Sequence, residues 1–315
     1  VPKKGPLEQS QPNFQKREVI TRWRYFVTSV RQGCRLMKLP TSSFYYRPKH
    51  ESVEEKETQA DLIGRIEAIC LEFPRYGYRR VTAQLKREKL IVNHKRTLRL
   101  MRESDLLCRV KRRWINTTDS RHGFPRYLNL VKDVAVSSLN QVWLADITYI
   151  RIRTGFVYLA AILDAFSRRV IGYAISPRLD ALLTREALRM AVTERRPGPG
   201  VIHHSDQGVQ YASTEYAEEL KALGFQISMS RRGNPYDNAT MESFFKTLKQ
   251  EEVYLYEYET IADVRARLPY FIEEVYNCKR LHSAIGYVPP SEFEEWVLNR
   301  EKHQLPDQTL LTLSV

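Results

Sequence analysis

Three acidic residues stand in contexts that suit phosphate chemistry. Asp146 lies within the apolar run WLADITY, Asp206 follows the run VIHHS, and Glu242 lies in the first turn of a predicted helix. A charge inside an apolar strand is unfavourable unless it has a partner. The carboxyl end of an α/β strand and the first turn of a helix are both positions that accommodate functional acids.

The three acids share one ligand chemistry. Carboxylate oxygens without histidine or cysteine suit Mg²⁺ or Mn²⁺, and two such ions about 4 Å apart can hold a phosphodiester between an attacking and a leaving oxygen. Each acid also has a structural alternative. Asp146 could be a buried hydrogen-bonded acid, Asp206 a turn residue and Glu242 a capping-box residue. The chemistry therefore requires a fold that brings the three acids together.

The segments around the acids predict an α/β core with a mixed sheet. Period-two patterns predict strands at Val142–Arg153, Phe156–Asp164, Val170–Ile175, Val201–His204 and Gln226–Met229. Helical patterns predict helices at Leu182–Glu194, Thr214–Leu223, Ala239–Val253 and Ile261–Leu281. Asp146 should share a strand face with Leu144 and Thr148.

Charge divides the chain into two parts. Of the formal charge of +13, residues 1–130 contribute 29 basic and 13 acidic side chains, and residues 131–315 contribute 21 and 24. This asymmetry predicts a module that meets a polyanion, joined to a module with another task. A basic domain that is merely soluble is the alternative.

The basic part is predicted to be helical. One helix is expected from Ile20 to Met37, and after Pro40 a second helix is expected with Thr41 or Ser42 as its cap. This arrangement is typical of a helix-turn-helix. A charged linker is expected over His50–Glu57.

A second helical unit follows that linker, with a third helix capped by Asn93. Its outward face is basic, as in a recognition helix that lies in a DNA major groove. A solvated surface helix is the alternative. The residues predicted to contact DNA, here and in the core, are Arg79, Arg80, Lys95, Arg96, Arg99, Arg231, Arg232, Lys246 and Lys249.

Several longer motifs carry a family resemblance. VWLADITYI, VYLAAILDAFSRRVIGY, HHSDQGVQY, GNPYDNATMESFFKTLK and YNCKRLHSAIGYVPP occur in this order, and 59 and then 35 residues separate the three acids. Over roughly residues 20–296 the chain resembles the second-frame product of bacterial insertion-sequence transposases with two reading frames, whose DDE catalytic core is similar to that of retroviral integrases. YGYRRVTAQL and VNHKRTLRLM resemble the helix-turn-helix segment before that core.

The resemblance implies a DNA transposase with an RNase H-like core. Asp146, Asp206 and Glu242 would bind two Mg²⁺ ions, with Mn²⁺ able to substitute. Water would cleave the transposon end, and the freed 3′-OH would attack a second phosphodiester in line, without a covalent protein intermediate. The expected partners are double-stranded DNA (terminal repeats and target), further copies in a homodimer or larger assembly on DNA, and an upstream-frame DNA-binding protein or its fused form.

The expected layout has five segments. They are helical residues 1–50, a helix-turn-helix-like domain at 51–110, a basic linker at 111–138, the RNase H-like core at 139–298 and a tail at 299–315. We found no apolar run of about 18 residues, so a membrane span is not expected and the bacterial cytoplasm, at the nucleoid, is the predicted location. The rival functions are a catalytically idle end-binding protein or repressor, and another RNase H-like nuclease.

Overall fold

The computed structural model of the chain describes residues 13–46, 53–108, 127–132, 134–230 and 238–303. Contacts divide the chain into two compact units, Val1–Asp61 and Leu62–Val315. Within the described residues, no helix is long and apolar enough to cross a membrane.

The first unit consists of short helices. They are α1 (Asn13–Arg22), α2 (Val30–Leu36) and α3 (Thr41–Tyr45), with a 3₁₀ turn at Arg24–Phe26. The predicted continuous helix from Ile20 to Met37 is wrong. Ser29 is extended, and its hydroxyl accepts a hydrogen bond from the backbone N–H of Gln32 at 3.2 Å, so a new helix begins there.

Helix α3 begins without the predicted side-chain cap. Pro40, rather than Thr41 or Ser42, occupies the N-cap position, and no side chain caps the helix. The neighbouring Leu39 is buried with Ile20 and Cys34. Apolar packing therefore positions this short helix, as is usual for helices too short to be stable alone.

Three longer helices follow: α4 (Val53–Glu72), α5 (Tyr78–Arg87) and α6 (His94–Glu103). The linker expected over His50–Glu57 is wrong from Val53 onward, because its Glu and Lys residues are good helix formers and extend α4. The Asn93 cap is confirmed, since its Oδ1 accepts a hydrogen bond from the backbone N–H of Lys95 at 2.8 Å.

A mixed five-stranded sheet forms the centre of the second unit. Its strands are β1 (Val142–Ile152), β2 (Gly155–Asp164), β3 (Val170–Ser176), β4 (Ile202–Ser205) and β5 (Gln226–Met229). Their spatial order is β3-β2-β1-β4-β5. The first three strands pair antiparallel, and β4 lies parallel to both β1 and β5. The predicted α/β class and mixed sheet are confirmed.

Helices cover both faces of the sheet. They are α7 (Ala181–Arg195), α8 (Val209–Ala212), α9 (Thr214–Ala222), α10 (Ala239–Leu248), α11 (Ile261–Tyr270) and α12 (Pro290–His303). Neighbouring residues of β1 alternate between the faces. Trp143 joins the apolar cluster of α7 and α9, whereas Leu144 joins that of α10 and α11. The same alternation puts Asp146 on the face of α10.

Two of these helices continue as π-helical turns, which the sequence pattern did not reveal. Helix α10 continues through Lys249–Val253, and α11 continues through Phe271–Lys279. In α11 the change follows Pro269, which lacks a backbone N–H and crowds the preceding turn.

The helices α5 and α6 pack against the sheet-containing core. Leu281 of the core is buried in the same apolar cluster as Val81 and Leu85. The backbone N–H of Leu281 donates to the Tyr76 hydroxyl at 2.8 Å, and Arg80 Nε donates to the Leu281 carbonyl at 3.0 Å. This part of the chain and the core therefore form one packed body.

Close packing between β3 and α7 generates a stability prediction. A Cβ atom at Gly172 would lie 2.3 Å from the Ala187 carbonyl oxygen and 2.7 Å from the Ala191 Cβ. We expect Gly172→Ala to destabilise the protein by about 1–3 kcal/mol, measured as a lower Tm. Gly64→Ala on α4 is the matched control, because nothing lies within 4 Å of a Cβ there. Equal melting of Gly172→Ala and wild type would contradict this packing.

Candidate active site

The first acid of the site, Asp146, projects from the middle of β1. Its side chain is half-buried. Oδ1 accepts a hydrogen bond from the backbone N–H of Ile147 at 2.7 Å, and Oδ2 accepts one from the Asn238 amide at 3.2 Å. Asn238 stands at the N-cap position of α10, yet its side chain makes no capping bond. Its amide therefore orients the acid.

The second acid, Asp206, is placed by parallel strand pairing. Ala145 of β1 pairs with Ser205 of β4, and the residues that directly follow them are Asp146 and Asp206. Adjacent strands lie about 4.8 Å apart, which puts the two acids side by side. The backbone N–H of Gly208 donates to Asp206 Oδ1 at 2.9 Å, and a Cβ at Gly208 would lie 2.9 Å from that same oxygen. The site needs glycine there for space.

The third acid, Glu242, lies in the first turn of α10 and is exposed. Its charge reaches Asp146. Burial, followed by the charges of Asp206 and Glu242, raises the pKa of Asp146 to about 8, while the nearby Lys249 opposes the shift. The structure thus places both Asp206 and Glu242 within electrostatic range of Asp146.

The donor set fits a divalent cation in its chemistry. Three carboxylates supply hard oxygen ligands and repel one another, a repulsion that a bound cation relieves. The Oδ1 of Asn238 is buried and has no hydrogen-bond partner. Among the described residues, however, no three His, Cys, Asp or Glu side chains are already arranged as a group that could hold a metal ion.

A tyrosine that the sequence reasoning missed lies beside the acids. Tyr211 is buried, and its hydroxyl has no hydrogen-bond partner. Burial raises its pKa well above the ordinary value, and the charges of Asp146 and Asp206 add to the shift. The available signal was its place in HHSDQGVQY, five residues after Asp206.

The predicted DNA contacts in the core differ in their surroundings. Lys246 is exposed on α10. Lys249 lies over the ring of Tyr149, with its Nζ 4.6 Å from the ring centroid, and burial lowers its pKa. Arg231 and Arg232 lie outside the described residues.

The predicted DNA contacts in the helical region lie mostly on an open surface. Lys95, Arg96 and Arg99 are exposed on α6, and Thr97, Leu100 and Met101 form its buried side. Arg79 is exposed over the ring of Tyr78. Arg80 differs, since it is half-buried and bonded to the Leu281 carbonyl.

Another acid of the core, Asp164, has a structural task. It is fully buried, and its carboxylate accepts hydrogen bonds from the backbone N–H groups of Asn140, Phe166 and Ser167 at 2.7, 2.9 and 3.0 Å. The bonds from Phe166 and Ser167 hold the turn that links β2 to β3, and the bond from Asn140 ties the segment before β1 to that turn. Asp164 is therefore distinct in kind from Asp146, which accepts a single backbone bond from the residue that follows it.

Comparison with known families identifies two kinds of domain. Residues 56–114 match the family described as "HTH-like domain". Residues 137–235 and 223–290 match two families, each described as "Integrase core domain".

The chain aligns with curated relatives over nearly the whole length of each relative. The chain is 37% identical over 264 residues to the insertion element IS600 31 kDa protein of Shigella sonnei, covering 83% of this chain and 97% of the relative. It is 38% identical over 254 residues to the IS904 transposase of Lactococcus lactis, with 79% and 98% covered. It is 34% identical over 271 residues to the IS3A transposase InsF of Escherichia coli, with 84% and 94% covered.

The solved structures with a detectable likeness include chains from two viral integration systems. A chain of the simian T-cell lymphotropic virus intasome has a TM-score of 0.43 and 17% identity, covering 80% of each chain. The catalytic core domain of BIV integrase has a TM-score of 0.40 and 18% identity, covering 52% of this chain and 99% of that one.

Asp164 and Asp146 should respond differently to replacement by asparagine. We expect Asp164→Asn to destabilise the protein by about 1–3 kcal/mol, because one amide face cannot accept from a backbone N–H. Burial raises the pKa of both aspartates, so the ionised form of each destabilises the fold above the ordinary pKa of 3.8. In Asp164→Asn we expect the loss of backbone hydrogen bonds to outweigh that term, whereas the remaining oxygen in Asp146→Asn can still accept from the backbone N–H of Ile147. Asp146→Asn removes that term, and we expect an equal or higher Tm at pH 8 in chelator-containing buffer. A large loss of Tm in Asp146→Asn would assign it a structural role.

Proposed function

The chain belongs to the insertion-sequence transposases that carry an integrase core, and we propose that it cuts and joins element ends at Asp146, Asp206 and Glu242 by DDE chemistry with two Mg²⁺ ions. The family accounts for the helix-turn-helix-like domain, for DNA as a partner and for polynucleotidyl transfer. The observation that supports the proposed site is that the charges of Asp206 and Glu242 converge on Asp146.

The residues of the site have separate tasks in this proposal. Asp146 and Asp206 would hold metal from adjacent strands, and Glu242 would complete the ligand set from α10. When bound, Mg²⁺, or Mn²⁺ in its place, supplies Lewis-acid activation of the phosphodiester and of the attacking oxygen. Asn238 keeps Asp146 in position, and Gly208 leaves room for the Asp206 carboxylate while donating a backbone hydrogen bond to it.

Substrate binding divides between the two DNA-facing parts of the second unit. The exposed cations of α6 would contact the terminal repeat, and Lys246 and Lys249, with Arg231 and Arg232, would contact DNA near the acids. Arginine and lysine side chains suit phosphate oxygens. Two ends must meet for transposition, so we propose a dimer or larger assembly on DNA, with an upstream-frame protein or its fused form as a further partner.

Strand transfer tests the proposed function directly. A labelled duplex of the element's own end is incubated with Mg²⁺ and wild type, Asp146→Asn, Asp206→Asn or Glu242→Gln. We expect joined product with wild type only, a loss of at least about a thousandfold in each variant, and end binding close to wild type. The same reaction with chelator should give no product.

Cleavage retained by any of the three variants would remove that residue from the proposed site. Binding by wild type without product, when an upstream-frame partner is also supplied, would favour a catalytically idle end-binding protein. Cleavage without joining to a second duplex would favour another RNase H-like nuclease.

The basic face of α6 makes a separate prediction about salt dependence. Replacing Lys95, Arg96 and Arg99 with Gln removes up to three phosphate contacts, so the slope of log K against log salt should become shallower by about 2–3. Filter binding across a salt series measures this slope. Lys221→Gln, an exposed cation on α9, is the control. An unchanged slope in the triple variant would place DNA recognition elsewhere.

A further inference from the structure

We propose that a cavity between α5, α10 and the end of α11 binds a phosphodiester of the element-end DNA. The inference rests on the proposed function for the identity of that DNA. The cavity has a volume of about 80 Å³, and Arg80, Arg168 and Arg280 converge on it. Its lining draws on four sequence stretches that carry the family resemblance: YGYRRVTAQL, VYLAAILDAFSRRVIGY, GNPYDNATMESFFKTLK and YNCKRLHSAIGYVPP.

The cavity has a buried floor and an open mouth. Tyr276, Arg280 and His282 form the floor and are buried. Ser243 and Ser283 stand at the mouth and are exposed. A ligand that enters from solvent therefore reaches fixed polar groups rather than flexible surface side chains.

The arginines carry more positive charge than the neighbouring acid balances. Arg280 is paired with Glu251 through two hydrogen bonds of 2.7 Å. Arg80 donates to the Leu281 carbonyl, and Arg168 donates to the Thr240 hydroxyl at 2.6 Å; both acceptors are neutral. The Nε of Arg168 is buried and has no hydrogen-bond partner. Two guanidinium charges and one buried donor thus remain for an anion.

The positive charge of these arginines shifts the pKa values of neighbouring side chains. Burial lowers the pKa of His282 well below its ordinary value, and the charges of Arg280, Arg80 and Arg168 lower it further. The histidine is therefore neutral and adds no charge of its own. The pKa of Arg80 is also lowered, first by burial and then by the positive charge of Arg280. An anion in the cavity would relieve both effects.

A phosphodiester fits this combination of groups. Guanidinium groups donate in a planar fork that matches phosphate oxygens, and hydroxyls on one face of α10 supply further donors. Ser243 at the mouth directly follows Glu242 on α10, so the cavity opens within one residue of the third proposed acid. Arg80 comes from α5, within the helix-turn-helix-like domain. The cavity thus lies where a DNA backbone engaged by both parts would run.

A double-mutant cycle that combines neutral phosphates in the DNA with substitutions in the cavity tests the proposal. Methylphosphonate linkages, which carry no charge, are placed one at a time along the end duplex, and Kd is measured for the full chain in chelator-containing buffer. For wild type, a methylphosphonate at one position, or at either of two adjacent positions, should weaken DNA binding about tenfold. Arg168→Gln should weaken binding of the unmodified duplex by a similar factor and lose sensitivity at that position only.

Two variants serve as controls on folding and on charge. Arg196→Gln removes an exposed arginine that, like Arg168, has a positive φ but does not line the cavity, so it should keep the wild-type pattern. Ser283→Asp places a negative charge at the exposed mouth and should reproduce the Arg168→Gln pattern with an unchanged Tm.

The outcomes separate DNA from a free anion. Equal sensitivity of wild type, Arg168→Gln and Ser283→Asp at every position would overturn the proposal. So would stabilisation of the protein alone by inorganic phosphate, dependent on Arg168, without any position-specific loss on DNA, because the cavity would then bind a free anion. The readout is binding without chemistry, so it stands apart from the strand-transfer test of the acids.

Discussion

Electrostatic repulsion between the carboxylates of Asp146 and Asp206 has to be opposed by the structure around them, because parallel pairing of β1 with β4 places them side by side. A flexible scaffold would separate two such charges. Here each acid extends from a strand of a sheet whose two faces are covered by apolar clusters. The packing of the core thus keeps the acids together.

Helix α10 links this acidic centre to a basic one. Its first turn carries Glu242, and Asn238 before it donates to Asp146. Hydroxyls on the same helix line the arginine cavity, while its buried side packs into the sheet through Phe244 and Leu248. One rigid element therefore sets the distance between the proposed metal ligands and the proposed phosphate contact.

The packing of α5 and α6 against the core has a functional consequence. Tyr76 and Arg80 bond to the backbone of Leu281, and Arg87 forms two hydrogen bonds with Glu292 at 3.0 and 2.6 Å. The helix-turn-helix-like helices and the catalytic sheet thus share one framework. DNA held by α6 would be presented to the acids in a defined position, instead of through a loose tether.

Local sequence information was sufficient for much of the fold, and the three acids of the proposed site stood out by their contexts. Strand alternation, the Asn93 cap and the change from helical to strand periodicity depend on neighbouring residues, and these predictions agree with the structure. The helix over Ile20–Met37 failed because the apolar spacing continued across Ser29, where a side-chain cap restarts the helix. The Asp146 context pointed to a functional acid because a charge in an apolar strand is unfavourable without a purpose.

Tertiary structure alone decided which polar residues have their hydrogen bonds satisfied inside the protein. Asp164, like Asp146, lies in an apolar strand, yet it accepts from three backbone N–H groups, two in the turn that follows β2 and one from Asn140 before β1. Arg80 is a predicted DNA contact, yet packing against the core half-buries it and bonds it to the Leu281 carbonyl. Such roles depend on partners up to 201 residues away along the chain, and a one-dimensional pattern carries no information on these distances.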